Sequence, residues 1–387
     1  MVMTSRERVQ AVLNHKIPDQ VPVIIGVSNA TGIKMAPYKA IKKLVGIDAP
    51  DEYIYDWPEL GSARVDETTL KRLHSDVRGI HDRLPEAITR RNQTRPAHSN
   101  FIDDWGSGQK EIEEGVWYPG VHPLAGATTI QEVDAYTNWP DMNDPYRVAH
   151  VKAQAQKLAA ENQYAIMATP WLMFPFERAH AMQGLDKFLY NMAVEKDFSK
   201  YLLEKIYGYC KTLMGHFLDE LGDNVDIIKI GDDLGTQESL LISPKMYREF
   251  LKPIHADFIS FIKQRSKAKV FFHTDGDVFN LIEDFIEIGV DILNPIQTSA
   301  GRMSNLAELK ARYGRRIVFC GGIDTQRILP TGTPAEVRDE VKRVIQVLGE
   351  GGDYMLASVH TIMNEVPAEN ILAMVDAAQV HGRYPLH

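Results

Sequence analysis

Five stretches of this 387-residue chain end an apolar run on a cluster of ionisable or amide side chains. The run at 225–230 (VDIIKI) is followed by Gly231-Asp232-Asp233, and the run at 269–272 (KVFF) by His273-Thr274-Asp275-Gly276-Asp277. The run at 291–293 leads into Asn294-Pro295-Ile296-Gln297, that at 316–319 into Cys320-Gly321-Gly322-Ile323-Asp324, and that at 353–357 into Ser358-Val359-His360. His273 and Asp275 stand two apart at a strand end, which points both to one face. Burying so many polar groups is costly unless they pair with one another, with a metal or with a substrate. Imidazoles and carboxylates are the groups that move protons and hold metals near neutral pH. One strand ending in Asp-Asp says little, because Asp also caps helices. Five strands ending this way say more.

Residues so far apart converge only if their runs are parallel strands of one closed sheet, whose carboxyl-terminal ends share a rim. From about residue 146 apolar runs alternate with helical-period segments, the pattern of βαβ units. Two further runs are candidates for strands, 164–169 (YAIMAT) and 21–25 (VPVII). Helix signals lie between the runs. Ser243-Pro244 supplies an N-cap and a proline at the first helical position, with an apolar stripe through Met246, Phe250 and Ile254. Thr333-Pro334 repeats the device, and Gly349, Gly351 and Gly352 stop that helix. Pro367 opens the last helix, with Ile371, Met374, Val375 and Ala378 on one face. The expected architecture is a (β/α)8 TIM barrel formed by a single domain over 1–387. Residues 1 to about 150 form an irregular helical and loop elaboration packed on it. A hairpin is expected around 115–120 (GVWYPG), and the strands still missing from the count of eight are expected in this N-terminal third.

Composition narrows the function classes. With 44% hydrophobic and 25% charged residues the chain has room for a large core. A net charge of −9 and a pI near 5.8 predict a soluble protein with neither nucleic acid nor an anionic membrane as partner. No apolar run approaches the roughly 18 residues of a membrane span. The opening MVMTSRER reads as a capped amphipathic helix rather than a signal peptide. Two cysteines imply no disulfide framework and a cytoplasmic address. The fourteen methionines are read as core filling.

Three long phrases carry a resemblance: HTDGDVFNLIEDFIEIGVDILNPIQ, GGIDTQRILPTGTPAEV and GGDYMLASVHTIMNEVPAENILAMVDAA. With GDDLGTQESLLISPKMYREFLKP and SRERVQAVLNHKIPDQVPV upstream, the chain resembles the uroporphyrinogen decarboxylase family. That family also holds cobalamin-dependent methyltransferases, including enzymes that methylate coenzyme M. The likeness covers nearly the whole chain and is weakest between residues 30 and 150. The methyltransferase branch holds zinc with a His-x-Cys pair and a second Cys near the last strand. The corresponding positions here are His273-x-Asp275 and His360. Two imidazoles and a carboxylate suit zinc with an open position, or iron(II), and match a thiol-activating zinc site poorly.

The resemblance therefore implies an O-demethylase-like methyltransferase. A methyl ether, such as a methoxylated aromatic, passes its methyl group to the cobalt of a corrinoid carried by a separate small protein. The leaving oxygen is activated by a metal such as zinc or by an acid. On this reading His273, Asp275 and His360 hold the metal or donate the proton. Asp232 and Asp233 orient the substrate or tune the histidines. Gln237 and Gln297 hydrogen-bond polar substituents, Asp324 completes the network, and Trp171, Met173, Phe174 and Phe176 supply an apolar wall. The expected partners are a small-molecule methyl donor, a corrinoid protein and a second copy of the chain in a homodimer.

Plainer readings stand beside these. Asp232 and Asp233 also read as caps of the following turn, Asp324 as a turn residue, and Trp171 and Phe174 as core. The same three ligand candidates also make a metal-free acid network. Cys320 reads as a small buried group and Cys210 as structural. Glu177 and Arg178 open a helix, with Glu177 within reach of the rim. Asp103-Asp104-Trp105-Gly106 is a loop without an assigned role, and His122, His180 and His255 belong to no motif. Gly321-Gly322 signals close backbone approach rather than a phosphate cradle, since no nucleotide fingerprint accompanies it. Three other functions compete. A decarboxylase acting on a polyanion calls for basic residues at the mouth, whereas the strand ends here are acidic and neutral. A second alternative moves methyl from a corrinoid to a thiol or to tetrahydrofolate. A third is a non-catalytic binding barrel, against which the density of ionisable strand ends speaks.

Overall fold

The computed structural model describes residues 2–54, 62–94, 99–113 and 116–386. In chain order the strands are β1 (Val77–Ile80), β2 (Phe101–Ile102), β3 (Gly108–Glu113), β4 (Val116–Val121) and β5 (Ala165–Ala168). They continue as β6 (Ile227–Gly231), β7 (Lys269–His273), β8 (Ile292–Ile296), β9 (Val318–Ile323) and β10 (Tyr354–Ser358). β1 and β5 to β10 pair in sequence order as one parallel sheet. The chain around Val23 closes it. Ile24 N donates to Leu356 O (2.9 Å) and Leu356 N to Pro22 O (2.8 Å), while Asp76 N donates to Val23 O (2.9 Å). This segment stands between β10 and the entry to β1, in the place of an eighth strand, and the result is a TIM barrel. Helices cover the outside and side chains fill the inside, so strand residues are buried on both faces, as parallel sheets require.

The apolar runs become strands, shifted forward where pairing carries on through polar residues: Asn294 lies inside β8, and Gly321 and Gly322 inside β9. A Cβ on Gly321 would stand 2.9 Å from Ile296 N, so the glycine marks a close approach of two strands. The N-terminal third does more than decorate the barrel, because it donates both β1 and the closing segment at Val23. The expected hairpin is the antiparallel pair β3 and β4, with 116–120 in its second arm and Gly115 outside the described residues. Thr4 caps the first helix, Ser5–Leu13, in a capping box with Glu7. Ser243 caps Pro244–Met246, which widens into a π-type turn over Tyr247–Leu251 before Lys252–Arg265. Pro253 lacks an N–H for the helical ladder, which accounts for the irregular turn before it.

At the amino-terminal end of the barrel, aspartates just ahead of four strands tie the structure together. Asp76 accepts from Val23 N (2.8 Å) and pairs with Arg8 (2.6 Å). Asp226 accepts from Ile166 N (2.9 Å) and pairs with Arg6 (3.2 Å). Asp291 accepts from Val270 N (2.9 Å) and pairs with Lys263 (2.8 Å), and Asp353 meets His15 at 2.7 Å. No helix among the described residues is long and apolar enough to cross a membrane.

Candidate active site

At the opposite rim, β7 ends on His273, whose Nδ1 lies 2.7 Å from Asn294 Oδ1 on the neighbouring β8. The Asn294 amide nitrogen donates to Cys320 O (3.4 Å), so its oxygen is the atom that faces the imidazole. Nδ1 therefore carries the proton, and Nε2 turns a lone pair toward the rim. Two residues on, Asp275 is fixed from both sides: its N–H donates to Asp233 Oδ1 (3.0 Å), and the next N–H, of Gly276, donates to Gln297 Oε1 (2.7 Å). Asp275 Oδ1 stands 3.9 Å from His273 Nε2, and Oδ2 stands 3.8 Å from His360 Nε2. The two imidazole rings are 5.5 Å apart. Gly231 lets β6 run close beside β7, since a Cβ there would fall 2.4 Å from His273 O. One ligand atom from each of His273, Asp275 and His360 lies within 4.8 Å of the others.

One polar atom of this cluster lacks a partner among the described residues. Asp275 Oδ1 is buried with no hydrogen-bond partner. Burial pushes the Asp275 carboxyl up to about 6; His273 opposes the shift and Asp233 adds to it. Desolvation holds both His273 and His360 below the usual imidazole range, with nearby acids opposing. Neutral imidazoles and a fixed carboxylate are what a divalent metal needs. Tetrahedral zinc with bonds of about 2.0–2.1 Å keeps its ligand atoms roughly 3.3–3.4 Å apart, so these atoms, within 4.8 Å of one another, would have to close in by up to about 1.4 Å to complete the site. The orphaned Asp275 oxygen and the orienting Asn294 make the residues present a fit for zinc. His360, with 42% of its side chain exposed, leaves the cluster open toward solvent.

Asp232 is positioned differently from the expectation of a pocket acid. It is fully buried and accepts from Phe176 N (3.2 Å), Glu177 N (2.8 Å) and His255 Nε2 (3.1 Å). It caps the helix Pro175–Gln183 and so fixes Glu177 at the rim. The Glu177 carboxyl is held well above its usual range by burial and then by Asp233 and Asp232. Asp233 faces the cluster, where its Oδ1 accepts from the Asp275 N–H.

The expected substrate contacts are only partly gathered. Gln297 is spent on the Gly276 N–H, Gln237 is exposed, and Asp324 accepts from Gln326 N (2.8 Å) in a turn. Phe174 is fully buried against Phe258 and His255, and so belongs to the core rather than to a pocket wall; Phe176 is fully buried too. Trp171 packs beside Ile54, Leu84 and Phe101, with its N–H on Asp82 Oδ1 (2.7 Å), and the Met173 carbonyl faces Cys210 Sγ (3.7 Å). The apolar run after β5 turns outward before Pro175, and Glu177 is the residue that comes back to the rim. Both cysteines are buried, with thiols pushed up to about 12, and neither joins the cluster. The Asp103-Asp104 loop is anchored by buried ion pairs to Arg178 and Arg147. Sequence reasoning assigned no role to Asn294 or Lys229. The signal for Lys229 was a lysine in the middle of an otherwise apolar strand.

A family model for uroporphyrinogen decarboxylase (URO-D) matches residues 113–381. The chain belongs to the uroporphyrinogen decarboxylase family. Curated relatives in the family include the uroporphyrinogen decarboxylase of Psychromonas ingrahamii, 26% identical over 187 residues, or 45% of this chain and 50% of the relative. That of Actinobacillus succinogenes is 32% identical over 79 residues, 20% of this chain and 22% of the relative. The chain thus spans half or less of the length of these relatives. Among solved structures, a methyltransferase from Methanosarcina mazei superposes with a TM-score of 0.63 at 19% identity, over 98% of this chain and 99% of that one. The shared fold extends ahead of residue 113, where the family match begins.

Proposed function

We propose that this family member is a corrinoid-dependent methyltransferase that removes the methyl group of a methyl ether, an aromatic one in the favoured case. The observation that carries the reading is the cluster of His273, Asp275 and His360, with one carboxylate oxygen buried and unpartnered. These three residues would hold zinc, which supplies a Lewis acid for the ether oxygen. The corrinoid, carried by a partner protein, supplies the nucleophilic cobalt that accepts the methyl group. The chain itself prepares the rest. Asn294 fixes the His273 tautomer, Asp233 and Gln297 hold the Asp275 loop, and burial holds the Glu177 carboxyl well above its usual range, which favours it as a proton donor.

Two features favour oxygen over sulfur as the activated atom. The ligand set contains no thiolate, and both cysteines are buried thiols outside the cluster. A hard, mixed His and carboxylate set suits an oxygen ligand. A polycarboxylate substrate for decarboxylation would meet Asp233 and Asp275 at the rim, an unfavourable environment for added negative charge. The test is to mix purified protein, a reduced corrinoid protein and a panel of methoxyarenes, and to follow the cobalt spectrum. The account expects a methyl-cobalt spectrum with at least one donor. Silence across a broad panel, or carbon dioxide release from a porphyrinogen, would overturn it.

A further inference from the structure

His255 is a histidine in a place where the packing calls for an apolar residue. It lies on the helix Lys252–Arg265 with no exposed surface. Its ring packs against those of Phe174, Tyr247 and Phe272, with ring centres 5.8, 5.7 and 5.3 Å away. An imidazole in such surroundings is costly unless its nitrogens are paired. Both are: Nε2 stands 3.1 Å from Asp232 Oδ2, and Nδ1 stands 3.3 Å from the Tyr247 hydroxyl. A carboxylate accepts, so Nε2 carries the ring proton and Nδ1 accepts from Tyr247. Tyr247 opens the irregular turn Tyr247–Leu251, which brings its hydroxyl to a ring 8 positions further along the chain.

Asp232 links this dry compartment to the rim. Its carboxylate meets the main-chain N–H groups of Phe176 and Glu177, and among the described residues His255 is its one side-chain donor. The N–H of Asp232 itself donates to His273 O (3.0 Å). The next residue, Asp233, accepts the Asp275 N–H on Oδ1 (3.0 Å). The main chain at two of the three ligand candidates is thus tied to Asp232 and Asp233, while the Asp232 side chain is tied to the helix that carries His255. Each link from Tyr247 to β7 is a hydrogen bond of 3.3 Å or less.

We propose that His255 is a positioning residue of the metal site: its Nε2–H fixes the Asp232 carboxylate, and through Asp232 and Asp233 it sets where β7 holds His273 and Asp275. The inference rests on the reading of His273, Asp275 and His360 as one metal site, and it holds whatever reaction that metal serves. Residues that orient metal ligands from behind add no bond to the ion, yet are worth roughly 10–100-fold in affinity. What His255 supplies is one N–H at one place. Glutamine offers the same, because its amide nitrogen is as many bonds from Cα as Nε2 is. Asparagine falls one bond short, and methionine fills the space without a donor.

The test titrates cobalt(II) into chelator-treated wild type, His255→Met, His255→Asn and His255→Gln. Amide exchange is read at Phe176, Glu177 and Asp275 in the same proteins without metal. His255→Met and His255→Asn should bind cobalt(II) about tenfold or more weakly than wild type, with an altered visible spectrum. Their three amides should exchange at least about tenfold faster. His255→Gln should return the wild-type spectrum and an affinity within about threefold of wild type. The metal-free melting temperatures of the three variants should agree within about 4 °C, which separates positioning from a general loss of fold. If His255→Met does not fold, the contrast between His255→Asn and His255→Gln carries the same comparison. Wild-type affinity and spectrum in the variants without a placed N–H, or no rescue by His255→Gln, would overturn the proposal. Wild type that binds no cobalt(II) would remove the metal reading. The exchange data would then decide alone, and Asp275 protection indifferent to His255 would overturn the positioning claim.

Discussion

The two ends of the barrel use the same residue types on the same strands to opposite effect. At the amino-terminal end Asp76, Asp226 and Asp291 each meet a cation and a backbone N–H of a neighbouring strand, and Asp353 meets the His15 ring. At the carboxyl-terminal end, among the described residues, Asp275 keeps a buried oxygen without a partner, burial holds the Glu177 carboxyl well above its usual range, and Lys229 is buried without an ion pair. A satisfied acid holds strands together. An unsatisfied one keeps its free energy available for a ligand, at a cost that the rest of the fold covers. The difference lies in partners, not in residue type, and it separates stability from chemistry along one axis.

Substitutions at the two ends should therefore fail in different ways. The largest effect is expected for His273→Ala, which should lower methyl transfer by about 1000-fold or more and move the melting temperature by no more than about 4 °C. Steady-state kinetics with calorimetry on the same sample checks both halves. At the other end, Asp226→Ala strips the acceptor from Arg6, Gln10 and Ile166 N. It should cost about 3–4 kcal/mol in denaturant unfolding, with turnover per folded molecule unchanged. A loss of activity without a loss of stability in Asp226→Ala would break the comparison.

Asp82 sharpens it, as an acid of the carboxyl-terminal end that lies outside the cluster. It is buried beside Trp171 with Oδ2 unpartnered, and burial pushes its carboxyl up to about 7. A carboxyl raised above its unfolded value of about 3.9 favours the fold fully below that pH, and the contribution is lost as pH rises through about 7. Asp82→Asn should therefore be more stable than wild type at about pH 8, by roughly 2–4 kcal/mol, and the gain should vanish near pH 4. Unfolding curves across that range give the sign directly. The smallest effect is expected at Asp324, whose carboxylate only closes a turn. Asp324→Ala should cost about 0.5–1 kcal/mol and leave methyl transfer within about twofold of wild type.

Much of this was legible in the sequence because barrel strands are short, apolar and followed by their functional residues. His273, Asp275, His360 and Asp233 were found that way, and the rim brings them together. What escaped had other causes. β1 carries an arginine and a glycine in four residues (VRGI) and so gives no strong strand pattern, whereas the closing segment at Val23 falls in the candidate run 21–25. Asp232 and Asp233 are adjacent and look interchangeable, yet the alternation of a strand end sends one to a helix cap and the other to the site. Phe174 and Glu177 lie three apart on one loop-to-helix passage, and only the three-dimensional turn at Pro175 shows which faces the rim. Lys229 was visible as a charge in an apolar strand, but its burial depends on the closed sheet.

The central claim is that His273, Asp275 and His360 serve one metal ion. It is tested most directly by titrating cobalt(II) into chelator-treated protein and following the absorption of the bound ion. The account predicts one tight equivalent with a four-coordinate spectrum, and an affinity loss of more than about 100-fold in each of His273→Ala, Asp275→Ala and His360→Ala. No bound equivalent in wild type, or full affinity in any one of the three variants, would contradict it.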